Sequence, residues 1–143
     1  MPEIEIYAHH AVKWLDVEWL TDRAKAALPQ CWALQKGESP ALAELELVEI
    51  SVVSDSAIAK VHGEFMDDPT PTDVITFHHG EILISAETAE KRGPEHGFQP
   101  QQELLLYVIH GLLHLAGWDD HEAVERSEMH QHQESVLKAV LAQ

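Results

Sequence analysis

Between Leu104 and Ala116 the chain is apolar almost without a break, interrupted only by Tyr107, His110, Gly111 and His114. A helix that is apolar on every side has to be buried. The length of Glu103–Ala116 and the C-terminal stop offered by Gly117 predict a helix there. His110 and His114 then share one face, one turn apart. A single histidine in a core helix is ordinarily a hydrogen-bonded packing residue, but two in this setting leave two polar rings without an evident partner. Their spacing lets two ring nitrogens converge on one metal ion at about 2.0–2.1 Å. Gly111, between them, costs a helix about 1 kcal/mol against alanine, which implies a local purpose.

A third ligand should follow closely, and Asp119, Asp120 and His121 leave the helix in a row. Zinc on two histidines and a carboxylate, or on three histidines, keeps a fourth position for water, which is a catalytic arrangement. With Cys31 as the single cysteine there is no CxxC pair for a closed structural site and no internal disulfide. The pattern is not the metalloprotease HExxH either, because Gly111 stands where that motif has its glutamate base.

Around this segment, strand and helix signals alternate. Ile4 and Ile6 alternate with Glu3 and Glu5 as a short strand, and Val12–Ala27 has the three- and four-residue spacing of an amphipathic helix. Residues 35–40 read as a loop and Leu45–Val53 as a strand. Ser54, Asp55 and Ser56 offer capping oxygens ahead of a helix over Ala57–Met66, which the prolines of Asp67–Pro71 end. Asp73–His78 and Glu81–Ser85 read as strands joined at His79-Gly80. Residues 93–101 read as a loop and Glu122–Leu141 as a last helix, with Val124, Met129, Val136, Leu137 and Val140 as its apolar contacts. The pattern predicts an α+β fold: one sheet of about four strands with helices packed on it, in a single domain over residues 1–143.

The net charge of −16, with only nine scattered lysines and arginines, opposes loose binding to a phosphate backbone. Eleven histidines are many for 143 residues, yet His9, His10, His78, His79, His130 and His132 lie in polar or terminal segments where a surface role is expected. The N-terminus lacks the basic and apolar regions of a signal peptide, and no apolar run reaches the roughly 18–20 residues that span a bilayer. A cytoplasmic protein is expected.

His110-Gly111-Leu112-Leu113-His114-Leu115-Ala116-Gly117-Trp118-Asp119 resembles the HGxLHLxGYDH signature of the YbeY family of bacterial metal-dependent endoribonucleases. Pro71-Thr72-Asp73-Val74-Ile75-Thr76-Phe77 is similar to that family's PTDVLSF strand, and Gly80-Glu81-Ile82-Leu83-Ile84-Ser85 to its GDIVIC strand. The three occur in the family's order and separation, and the resemblance extends from about Val48 to the C-terminus. It implies one zinc per chain at the end of a cleft. It also implies single-strand-specific endoribonuclease activity in rRNA maturation (16S rRNA 3′ end processing) and ribosome quality control, with rRNA and the small ribosomal subunit as partners.

The chain departs from the family pattern at two places. The family's third metal histidine falls ten residues after the first, and that position is Asp120, with His121 beside it. Asp120 is the ligand in register, while a one-residue bulge would bring in His121. The family often carries an arginine after an aromatic residue before PTDV; here the pair is Phe65 and Met66, and methionine cannot pair with a phosphate. Lys60, Lys91 and Arg92 are the other candidates for that contact. Asp119 is either a partner that orients a ligand histidine or a solvated turn residue. Thr72 and Asp73 either line the cleft or serve to start the strand, the latter being the expectation for Thr72. Two rival functions stay open: a ribosome assembly factor with a mainly structural zinc, and a zinc hydrolase of small molecules.

Overall fold

A computed structural model describes all residues from Met1 to Gln143. Four strands, β1 (Glu3–Ala8), β2 (Leu47–Val53), β3 (Val74–Phe77) and β4 (Glu81–Ser85), form one sheet in the order β1-β2-β4-β3. β1 pairs parallel to β2 and β2 parallel to β4, while β3 and β4 form an antiparallel hairpin. The helices are α1 (Val17–Ala33), α2 (Ala41–Glu44), α3 (Asp55–Met66), α4 (Ala86–Arg92), α5 (Pro100–Leu115) and α6 (Ala123–Leu141). The expected α+β class and four-stranded sheet are what is observed. No helix is long and apolar enough to cross a membrane.

The period of two along the strands sorts their side chains between two cores of unequal size. Val48, Ile50, Val52, Ile82 and Ile84 enter a main core of 27 buried residues, together with α1, α5 and α6. Val53, Ile75 and Leu83 face the other way, onto Ile58 of α3. The helix α5 lies in the larger core, with Leu104, Leu105, Val108, Ile109, Leu112 and Leu113 fully buried. Its all-round apolar sequence is therefore matched by packing on nearly every side.

Gly111 is where α5 comes down on the sheet. A Cβ there would lie 2.8 Å from Ile82 Cδ1, 3.0 Å from Ile82 Cγ2 and 3.1 Å from Thr76 Oγ1. The glycine serves close packing of helix on strand. It also points position 111 into the sheet, so a glutamate there could not act as a base in the cleft.

Several boundaries differ from the sequence expectation, each for a local reason. α1 begins at Val17 rather than Val12, because Asp16 caps it: Asp16 Oδ1 accepts from Trp19 N at 3.0 Å. It also continues past Ala27, through Pro29, to Ala33, with Leu28 and Cys31 buried behind the proline. α5 begins at Pro100, inside the expected loop; Pro100 needs no N–H in the first turn, and Gln99 and Gln102 form a capping box. Gly93–His96, in the same expected loop, is a 3-10 turn. Ala86–Arg92 forms a helix not expected from the sequence, capped by Ser85 Oγ, which accepts from Thr88 N at 3.2 Å. On α6, Val124 is exposed and makes no core contact, whereas Met129, Val136, Leu137 and Val140 are buried.

The end of α5 is a Schellman turn. Gly117 N donates to His114 O at 3.0 Å and Trp118 N to Leu113 O at 3.0 Å, with Gly117 at φ +106°. A Cβ on Gly117 would stand 2.3 Å from the Lys36 carbonyl oxygen. Gly117→Ala is therefore expected to cost at least the roughly 1–3 kcal/mol of a strained backbone residue. In urea unfolding the midpoint should fall with an unchanged slope; a wild-type midpoint would contradict this account of the turn.

Candidate metal centre

The histidines of α5 are met by α6 and by the turn that follows α5. Their rings meet at 84°, and His114 Nε2 is 3.0 Å from His110 Nε2. Both Nδ1 atoms are occupied. His110 Nδ1 donates to Gln133 Oε1 at 2.8 Å, and His114 Nδ1 donates to the Trp118 carbonyl at 2.9 Å. The Schellman turn places that carbonyl, and α6 places Gln133. With the proton of each neutral ring on Nδ1, each Nε2 keeps a lone pair, and the two lone pairs face one another.

Asp120 closes the group, with Oδ2 3.5 Å from His110 Nε2 and Oδ1 3.7 Å from His114 Nε2. One donor atom from each of the three residues lies within 4.8 Å of the others. Three electron-pair donors without a positive charge between them repel, so a cation at their centre is what the arrangement suits. Tetrahedral zinc with bonds of about 2.0–2.1 Å sets its ligand atoms about 3.3–3.4 Å apart, and the observed separations bracket that figure. Burial, and then the neighbouring His110, push the His114 pKa below the ordinary imidazole value, which favours the neutral, ligating form.

Of the residues singled out in the sequence, His121 is not in this group. Its side chain is 90% exposed, and its Nε2 lies 3.4 Å from Asp119 Oδ1. Asp119 touches neither α5 histidine. Its Oδ1 accepts from Asp120 N at 2.7 Å, and its own N donates to Glu125 Oε2 at 3.2 Å. It steadies the backbone that carries Asp120, and the histidines are oriented by Gln133 and the Trp118 carbonyl instead. Gln133 carries no local sequence signal: it lies 23 residues from His110, on a helix with weak periodicity.

Two clefts open on the group. One, of about 510 Å³, is lined by His110, His114, Asp120, Thr72, Thr76 and Met66, among others. The other, of about 530 Å³, runs between α4, α5 and α6 and is lined by Arg92, His96, Glu103, Tyr107 and Gln133, among others. His110, Asp120 and Asp73 border both. Thr72 and Asp73 thus line a cleft, and they also start β3: Asp73 Oδ1 accepts from Val74 N at 2.8 Å and from Thr72 Oγ1 at 3.3 Å. Met66, the last residue of α3, is half exposed on the cleft wall. Lys91 is held by Asp55 at 2.7 Å, and Lys60 lines neither cleft.

Fold and site together define a small α+β protein that carries an open three-donor centre on a buried helix. Residues 15–141 match the family model described as endoribonuclease YbeY. Among curated relatives, the endoribonuclease YbeY of Synechococcus sp. (strain RCC307) is 33% identical, the alignment covering 91% of this chain and 86% of that protein. That of Rhodopirellula baltica is 34% identical over 65% of this chain and 53% of its own length, so this match spans about half of the relative. A Thermotoga maritima protein solved in solution superposes with a TM-score of 0.64 at 27% identity, covering 97% of this chain and 89% of the other. The chain belongs to the YbeY family.

The geometry brings His110, His114 and Asp120 together and leaves His121 outside the group. Asp120→Ala is expected to weaken zinc affinity sharply in a competition titration with a chromophoric chelator, and His121→Ala to leave it near wild type; the reverse order would contradict the structure. Gln133→Leu removes the acceptor that holds the His110 ring, and should lower zinc affinity about 10–100-fold without removing a ligand. Because a ligating imidazole must be neutral and His114 is held below the ordinary imidazole value, affinity should also fall as pH drops below the ordinary imidazole range.

Proposed function

We propose that this chain is a zinc-dependent, single-strand-specific endoribonuclease acting in rRNA maturation, at the 3′ end of 16S rRNA, and in ribosome quality control. In this reading it works in the cytoplasm with rRNA and the small ribosomal subunit as partners. One observation carries the metal-dependent part: two imidazole Nε2 atoms face each other at 3.0 Å beside a carboxylate, at the junction of two clefts. The family supports the choice of RNA, since its matched relatives are described as endoribonucleases.

In this mechanism His110, His114 and Asp120 would hold one zinc ion. Such an ion would supply Lewis acidity toward a phosphoryl oxygen and a water of lowered pKa. The chain's own residues do the rest. Gln133 and the Trp118 carbonyl keep the Nδ1 protons in place, so that both rings present Nε2 and cannot rotate away. Asp119 fixes the backbone of Asp120. No carboxylate stands at position 111 to serve as a base, in keeping with a phosphodiester rather than a peptide substrate.

A second reading, a ribosome assembly factor whose zinc is mainly structural, is favoured by a specific pair of observations. Met66 offers the cleft no charge, and the net charge of −16 repels RNA. Cleavage of single-stranded RNA at low salt, with chelator and then with zinc restored, tests the two readings. The enzyme reading expects cleavage that chelation removes, that zinc restores and that His110→Ala lacks. Met66→Arg adds a charge-assisted phosphate contact, and about 1.4 kcal/mol in the transition state appears as a tenfold faster rate. Cleavage absent at every zinc concentration, with co-sedimentation on small ribosomal subunits retained, would put the assembly-factor reading in its place.

A further inference from the structure

The lining of the two clefts contains one lysine or arginine between them. It is Arg92, at the end of α4, on the cleft between α4, α5 and α6. Arg92 Nη1 donates to Asp73 Oδ2 at 3.0 Å, and Asp73 borders both clefts beside His110 and Asp120. The guanidinium is about half exposed, and this ion pair engages one of its five donors. Asp73 is itself immobilised through Val74 N and the Thr72 hydroxyl, so it aims the guanidinium rather than following it.

The wall around Arg92 is built from buried polar groups. Glu103 is fully buried, and its Oε1 lies 2.8 Å from His96 Nδ1, while its Oε2 has no hydrogen-bond partner. The buried Tyr107 hydroxyl has none either, and its pKa is pushed well up, by burial and then by the Glu103 charge beside it. Asp73, Arg92, Glu103 and Tyr107 all line this one cleft. Glu103, Tyr107 and His110 recur at four- and three-residue steps along α5 and share one face. Tyr107 is therefore about 4.5 Å along the helix axis from His110, and Glu103 about 10 Å. An apolar-lined core has no need of this polar strip, and its donors and acceptors run away from the metal centre along one cleft.

We propose that this cleft is a subsite for the phosphodiester next to the one at the metal centre, with Arg92 as its phosphate ligand. The inference rests on the RNA reading above and extends it. In a chain of net charge −16, one guanidinium held in a cleft decides where a phosphate chain can lie: it enters past Arg92 and reaches the centre at His110. A planar guanidinium with free donors suits a phosphate better than an ammonium does, because it can form two parallel hydrogen bonds.

The test is binding, read apart from cleavage. A fluorescein-labelled 2′-O-methyl single-stranded oligonucleotide is titrated into zinc-loaded wild-type protein, Arg92→Ala and Arg92→Lys by anisotropy, across a range of salt. Zinc content and thermal unfolding are measured on each variant, and Arg92→Lys guards against loss of fold in the alanine variant. The proposal expects Arg92→Ala to bind about tenfold more weakly, with its salt slope smaller by about one, and Arg92→Lys to fall between. Zinc content should be unchanged in both. Equal affinity and equal salt slope in wild type and folded Arg92→Ala would overturn the subsite. If wild type still cleaves RNA in a zinc-dependent way, the nuclease reading survives that result. Arg92-dependent binding without any cleavage would uphold the subsite and remove the nuclease reading. An oligonucleotide that wild type does not bind overturns the subsite as well.

Discussion

The contact on which the rest of the structure depends is the seating of α5 on β3 and β4 at Gly111. With a hydrogen in place of a side chain, the helix backbone rests against Ile82 and Thr76, in a gap too small for a Cβ. A helix held that closely, and buried on nearly every other side, can neither rotate nor slide without opening the core. Its one polar strip, Glu103, Tyr107, His110 and His114, is therefore fixed in direction. The turn at Gly117 then folds back so that one carbonyl, from Trp118, meets His114, and one carboxylate, from Asp120, meets both rings. The convergence of the three donor groups follows from a packing constraint.

Charge gives the site its second property. The protein is strongly acidic, yet the centre is made of two imidazole rings and one carboxylate, with Arg92 as the lone arginine or lysine along the clefts. A divalent cation bound there is the largest positive charge in its neighbourhood. In the proposed function, attraction for a phosphate would come from the metal and a single guanidinium rather than from a basic surface. Binding of this kind depends less on counterion release than that of a basic nuclease, because few phosphates are neutralised.

Much of this was legible in the sequence wherever the signal was local. The apolar run with histidines four apart specified both the buried helix and the facing rings, because helical periodicity alone puts them together. The β-branched and aromatic runs at Asp73–His78 and Glu81–Ser85 pointed to the β3–β4 hairpin with a glycine turn between them. The resemblance to the YbeY signature put Asp120, rather than His121, in register. Signals that depend on pairing across the chain were invisible. Gln133 reaches His110 from α6, and Arg92 reaches Asp73 across 19 residues; a single polar residue leaves no periodic trace of its distant partner. Pro100 starts α5 inside the expected loop, and α1 runs on through Pro29 past its expected end at Ala27, while the prolines of Asp67–Pro71 do follow the end of α3. Helix α4 had its signs, a serine cap, Glu87 in the first turn and Lys91 and Arg92 in the last, but at seven residues it was too short for periodicity to reveal.

The central claim is that His110, His114 and Asp120 together hold one zinc ion through the two Nε2 atoms and a carboxylate oxygen. X-ray absorption at the zinc edge of the loaded protein tests it most directly. The account predicts a first shell of nitrogen and oxygen alone, at about 2.0–2.1 Å, with the outer-shell scattering of two imidazoles. In Asp120→Ala the two imidazoles should persist while the carboxylate contribution is lost. A spectrum with fewer than two imidazoles, or with sulfur at about 2.3 Å, would contradict it.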